Sequence, residues 1–162
     1  MWKTGHSLIR RKMHQDGILF AGEFSGHMFF GENYYTIDDA ILASCRLLQI
    51  LSSGSATFSS MLSGLPKRFT TGLIEAHCSD RDKFEVIARV TDFFSKKYDV
   101  LTIDGARIMF NDGWAVVRAS NTTPTLTLRF EADTEERLKE IQSIVFDKLS
   151  EFPSVQLPNI SY

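Results

Sequence analysis

In the second half of this chain the dipeptide Asp-Gly interrupts the apolar runs at Asp104-Gly105 and again at Asp112-Gly113. That punctuation limits the fold more than any other feature. Glycine takes the positive φ of a tight hairpin turn without steric cost, and aspartate tolerates it better than most residues. Val100–Ile103 and Ala106–Phe110 are therefore expected to pair across a two-residue turn at Asp104-Gly105. Asn111-Asp112-Gly113 turns the chain again, into a strand from Trp114 to Val117. Thr125–Glu131 alternates, with Leu126, Leu128 and Phe130 on one face, and Gly72–Cys78 reads as a further strand. Two amphipathic helices frame these strands. The first covers 82–96, with Phe84, Ile87, Ala88, Thr91 and Phe94 on one face. The second covers 134–149, with Asp133 and Glu136 at capping-box spacing and a stripe of Leu138, Ile141, Val145 and Leu149. Mostly antiparallel strands with two helices on one face make a two-layer α+β domain.

The first third reads differently. Ser7 to Gln15 is helical, with Ser7 as its cap, Leu8, Ile9 and Met13 as its stripe and Gly17 as its stop. Ile18–Ala21 is expected to be a buried strand and Met28–Phe30 a second one, separated by a loop with two glycines. Asp38 suits the N-cap of a further helix, stapled by Ile37 and Leu42, whose Ile41, Cys45, Leu48 and Leu51 would face a core. Residues 52–66 (SSGSATFSSMLSGLP) are rich in serine and glycine and place the domain boundary, with a short helix over Thr57–Leu62. The resulting division is 1–54, a linker at 55–67, and 68–162.

Composition excludes several function classes. Hydrophobic residues make up 43% of the 162 positions, enough for a real core. A formal net charge of -2 argues against a nucleic-acid partner. No stretch of about 18 apolar residues offers a membrane span, and the start lacks the apolar segment of a signal peptide. Cys45 and Cys78 are too few for a disulfide scaffold and read as thiols of a reducing cytoplasm. Met1-Trp2-Lys3 runs straight into structured-looking sequence, so the chain reads as cut from something longer.

Three segments carry candidate chemistry. In Gly22–His27 (GEFSGH), an extended backbone would put Glu23, Ser25 and His27 on one face. A carboxylate, a hydroxyl and an imidazole together suit a polyhydroxylated ligand such as a sugar, or equally a polar hairpin edge facing water. In Arg118–Pro124 (RASNTTP), Arg118 can grip a phosphate bidentately. Ser120, Asn121, Thr122 and Thr123 add donors in a turn that can aim backbone N–H groups inward. A plain polar turn with an Asn121 Asx-turn fits as well. In Trp2–Ser7 (WKTGHS), His6 beside Lys3 and just before a helix could act as acid or base, or merely flank the helix cap. His14 and His77 read as surface and strand residues, Asp38 and Asp39 as a helix cap, and Tyr34-Tyr35 as pocket or packing. No two histidines share metal-ligand spacing, so no metal site is expected within the chain.

WKTGHS, GEFSGH and RASNTTP, in that order, resemble the α-D-phosphohexomutases of the phosphomannomutase/phosphoglucomutase group. FFGENYYTIDDAI and LRFEADTEERL look like segments of the same family. The resemblance implies a four-domain isomerase that moves phosphate between the 1- and 6-hydroxyls of a hexose through a phosphoserine and a bisphosphorylated sugar, with Mg²⁺ in the full-length protein. Residues 1–54 would correspond to the end of the sugar-recognising third α/β/α domain, and 68–162 to the phosphate-binding fourth. Glu23 and Ser25 would then read sugar hydroxyls, with His27 alongside. Arg118, Ser120, Asn121 and Thr122 would hold the non-transferring phosphate, with Thr123 assisting, and His6 would match a histidine near the reacting centre. Trp114 is expected to pack behind the phosphate loop. The family's phosphoserine loop, T-A-S-H-N-P, and its metal loop, D-G-D-x-D-R, do not occur in this sequence. The chain alone is therefore expected to bind a mannose or glucose phosphate without turning it over. Its first fifty residues are expected to present an uncovered sheet edge that pairs with another copy or packs abnormally on the fourth domain. The readings outside this group are a non-catalytic sugar-phosphate-binding module and a phosphoglucosamine mutase fragment.

Overall fold

The computed structural model describes residues 1–158. The chain divides into two compact units, Met1–Pro66 and Lys67–Tyr162.

In the first unit, α1 (His6–Asp16) ends at Gly17, whose left-handed backbone returns its N–H to the Met13 carbonyl. Its N-cap is Gly5 rather than Ser7, which lies inside the helix. Strands β1 (Phe20–Gly22) and β2 (Met28–Phe30) form an antiparallel hairpin pairing Gly22 with Met28. The first strand of this hairpin is not the buried one that its apolar sequence suggests. Ile18, Leu19, Phe20 and Met28 are exposed, and the buried cluster of the unit is Ile9, Met13 and Phe29. Helix α2 (Ala40–Ser52) likewise holds its Ile41, Cys45 and Leu48 outward and buries no residue. The apolar stripe is real, but no layer of the unit covers it. Its cap is Asp39, one residue later than expected, whose carboxylate accepts from the Ile41 and Leu42 N–H groups at 2.9 Å each. The Ser-rich stretch holds a single 3-10 turn, Ser59–Leu62.

The second unit carries the main core. Its strands are β3 (Phe69–Thr70), β4 (Ile74–Cys78), β5 (Asp99–Leu101), β6 (Ala106–Phe110), β7 (Gly113–Ala119), β8 (Thr125–Ala132) and β9 (Val155–Gln156). They form one antiparallel sheet in the order β5-β6-β7-β8-β4-β9, with β3 also joined to β8. Alternation puts Ile108, Val117, Leu126, Leu128 and Phe130 inward, where α3 (Lys83–Ser95) and α4 (Glu135–Ser150) cover them. Leu128, Phe130, Ile141, Val145 and Leu149 expose no surface. Burying each such side chain contributes about 1.5–3 kcal/mol. The inward face of α4 is the expected stripe, but its cap is Thr134, whose hydroxyl accepts from the Arg137 N–H at 3.1 Å. The inward face of α3 is Lys83, Val86, Val90 and Phe94, with Ile87 partly buried beside them; of the expected set Phe94 and Ile87 meet the core, while Phe84 and Ala88 point to solvent. A lysine at the head of the apolar stripe hid the true phase of this helix.

The Asp104-Gly105 hairpin exists, but with a longer connection. β5 ends at Leu101 and β6 begins at Ala106, leaving residues 102–105 in the turn, with a positive φ at Gly105 alone. Gly105 also lies against β7: a Cβ there would sit 2.4 Å from the Val117 carbonyl oxygen and 2.8 Å from the Arg118 Cα.

Candidate functional site

Polar groups gather at one place in each unit. In the first, residues 23–27 are a turn rather than an extended run. The Glu23 N–H donates to the His27 carbonyl at 2.9 Å, and the Gly26 N–H donates to the Glu23 carbonyl at 3.0 Å. Gly26, at φ 90, supplies the conformation that closes the loop. Glu23 and His27 therefore face each other across the base of the turn, and Ser25 is exposed at its tip. Glu23 Oε1 accepts from the Gly5 N–H at 3.1 Å, which ties this loop to the start of α1.

That contact brings His6, the first residue of α1, to the same place. An isolated bridge from Phe29 to Asp38 brings in a carboxylate from the segment ahead of α2. Asp38 Oδ1 lies 2.6 Å from His6 Nδ1, and Asp38 Oδ2 lies 2.7 Å from His27 Nδ1. Partial burial acts to raise the Asp38 pKa. The His27 hydrogen bond, its own backbone N–H and the two nearby imidazoles outweigh this and hold it below the usual carboxylate range. An ionised carboxylate only accepts, so both rings carry their hydrogen on Nδ1 and present a bare Nε2 when neutral. Two imidazole bases on one carboxylate can receive or return a hydroxyl proton. Asp38, read from sequence as a cap, is thus the hub of this cluster. Capping falls to Asp39, whose carboxylate is held ionised by the Tyr34 hydroxyl at 2.5 Å and the helix N–H groups. Tyr34 is thereby structural, while Tyr35 is exposed. His14 is held by Thr36 Oγ1 at 2.7 Å, and Lys3 is exposed.

In the second unit the groups lie at one end of the sheet. Arg118 stands near the end of β7, opposite Thr127, whose Oγ1 is 3.4 Å from its Nε. Asp104 Oδ2, from the β5–β6 turn, lies 3.3 Å from a terminal nitrogen of Arg118. The Arg118 side chain is partly buried. Beyond β7 the chain turns through 120–124. Ser120 is buried, and its Oγ accepts from the Thr122 and Thr123 N–H groups at 3.3 and 3.2 Å and from the Thr123 hydroxyl at 2.7 Å. Ser120 is therefore the loop's internal brace, while Asn121, Thr122 and Thr123 are exposed on its outside. Trp114 does not back this loop. It lies on β7 six residues before Ser120, about 20 Å along the strand direction, where Arg107 covers its ring at 4.1 Å.

Sequence reasoning missed Lys83. It is 4% exposed, and its Nζ donates to Asp80 Oδ1 at 2.5 Å, to the Ser120 carbonyl at 2.5 Å and to the Thr123 carbonyl at 3.1 Å. Its partners lie 37 and 40 positions away, so no local pattern could have shown this role.

Among the described residues, no three His, Cys, Asp or Glu side chains are grouped so as to hold a metal ion. The donor set present does not fit Mg²⁺, and no step proposed for this chain runs through one. Among the same residues, no helix is long and apolar enough to cross a membrane.

Known proteins match both units. The family model for the phosphoglucomutase/phosphomannomutase alpha/beta/alpha domain III matches residues 1–69, and the model for the C-terminal domain of the same family matches 73–148. The chain belongs to the phosphoglucomutase/phosphomannomutase family. It is 44% identical to a phosphomannomutase/phosphoglucomutase of Pseudomonas putida, over 98% of this chain and 35% of the relative. It is 43% identical to a phosphoglucomutase of Neisseria meningitidis, over 88% of this chain and 32% of the relative. A crystal structure of a family protein from Burkholderia thailandensis superposes with a TM-score of 0.84 at 36% identity, covering 98% of this chain and 34% of that one. The chain spans about a third of the length of the curated relatives it matches.

Proposed function

We propose that this chain supplies the hydroxyl-reading and phosphate-gripping parts of a cytoplasmic isomerase that interconverts hexose 1-phosphate and hexose 6-phosphate. In this reading residues 1–54 close the sugar-recognising third domain, 55–67 link, and 68–162 form the phosphate-binding fourth. The whole protein transfers phosphate from a phosphoserine to the free hydroxyl of the sugar phosphate. The bisphosphorylated sugar then reorients and returns its other phosphate to the serine. Mg²⁺ belongs to that whole protein.

The observation that carries the reading is the end of the second-unit sheet. There an arginine fork steadied by Asp104 stands beside a braced loop of exposed Asn121, Thr122 and Thr123, in a chain of this family. Arg118 takes two oxygens of the non-transferring phosphate, and the loop supplies neutral donors. Ser120 Oγ reaches the phosphate only by releasing its brace. In the first unit Glu23 and Ser25 meet sugar hydroxyls, and a bare Nε2 on His6 or His27 receives the proton of the attacking hydroxyl. Asp38 stabilises the imidazolium so formed.

The test is titration of the chain with mannose 1-phosphate, with a coupled mutase assay in parallel. Arg118→Ala is expected to weaken binding about tenfold or more, the worth of a charge-assisted pair, and the unaltered chain to show no turnover. Equal affinity in the variant removes Arg118 from the site, and turnover by the pure chain overturns the binding-only role.

A further inference from the structure

Lys83 is placed where its own helix gains nothing from it. It is the first residue of α3. A cation at a helix N-terminus opposes the helix dipole, and a buried cation gives up its hydration. Its ion-pair partner among the described residues, Asp80, is mostly exposed, so that pair is screened by water. What Lys83 does satisfy is the loop, at the Ser120 and Thr123 carbonyls.

We infer that Lys83 is a positioning residue for the phosphate loop, a claim that rests on the phosphate-binding reading above. The peptide bonds here are trans, and in a trans peptide the carbonyl and the following N–H point in opposite directions. Drawing the Ser120 carbonyl down onto Lys83 turns the Asn121 N–H away from it, toward the exposed side of the loop. The same ammonium places a fixed positive charge beneath a surface that receives an anion. Thr123, held by its carbonyl, precedes Pro124, which has no N–H to misdirect. Ser120 Oγ fixes the loop from within and Lys83 fixes it from below, so its donors are aimed before a ligand arrives.

The test uses ¹H–¹⁵N spectra of the chain titrated with mannose 1-phosphate. In Lys83→Gln, which loses the charge and one carbonyl contact, affinity is expected to fall about tenfold. The Asn121–Thr123 resonances should be displaced in the free protein, while those of Val117, Leu128 and Val145 stay in place. Lys83→Arg, which keeps the charge, is expected to recover most of the loss. A folded Lys83→Gln with undisplaced loop resonances, or with affinity within about twofold of the unaltered chain, overturns the assignment. Should Lys83→Gln lose the core resonances, Lys83→Arg decides. Weaker binding in proportion to displaced loop resonances supports the role, and displaced resonances with full affinity refute it. If Arg118→Ala abolishes binding and Lys83→Gln does not, only the positioning role falls. If the unaltered chain binds no phosphosugar, the reading beneath it falls too.

Discussion

Gly105→Ala is expected to be among the most damaging single-methyl changes in the second unit. The residue has φ +82, where an L side chain costs about 1–2 kcal/mol. Its new Cβ would also meet the Val117 carbonyl oxygen at 2.4 Å and the Arg118 Cα at 2.8 Å. Both are backbone atoms of a strand paired on both sides, so neither can swing away as a flexible side chain would. Overpacking of that kind adds about 1–3 kcal/mol. The two terms together give about 2–5 kcal/mol, or roughly 10–25 °C in melting temperature for a unit of this size. Urea and thermal unfolding followed by circular dichroism measure it. Gly72→Ala is the control in the same unit, because nothing lies within 4 Å of its added methyl and its φ is ordinary. It should change stability by no more than about 0.5 kcal/mol. A loss below about 1 kcal/mol for Gly105→Ala would mean that the β5–β6 turn relaxes off β7 freely. The close approach that presents Asp104 to Arg118 would then not be built into the fold.

The Asp38 carboxyl, followed by ¹³C NMR, is expected to titrate below the ordinary aspartate value of about 3.9. The sign follows from that depression: the stabilisation from its two imidazoles is present above the unfolded value and is lost as pH falls through the folded one. A midpoint at or above the ordinary value contradicts the histidine–aspartate cluster. Thr134→Ala is expected to cost about 1 kcal/mol in urea unfolding, as the loss of a helix cap does. Asp133→Ala, which breaks only the exposed ion pair with Arg68, should cost less than about 0.5 kcal/mol; the reverse order would restore Asp133 as the cap.

The second unit was legible because its local signals agree with its tertiary partners. Leu126, Leu128 and Phe130 alternate and are all buried, and Leu138, Ile141, Val145 and Leu149 recur at helical spacing on a face that is buried throughout. Where signals and partners part, the reading slipped. α2 carries as clear a stripe as α4 yet buries none of it, since periodicity reports which face could be covered and not whether anything covers it. The Asp38–Asp39 pair shows the limit at single-residue scale: either can cap, and the choice falls to Phe29, which bridges to Asp38 and leaves the cap to its neighbour. The three candidate motifs were visible because their residue types imply chemistry. Asp104 and Lys83 were not, because a turn acid and a helix lysine acquire meaning only from strands and loops far along the chain.

On the proposed phosphate-binding role, the braced loop also bears on the timing of recognition. A loop that must order around its ligand slows capture, because only a fraction of encounters find it in a receptive shape. Residues 120–123 are held by Ser120 from inside and by Lys83 from beneath. Anions meeting this loop should therefore arrive at similar rates whatever sugar they carry. Discrimination between them then lies in how long each one stays.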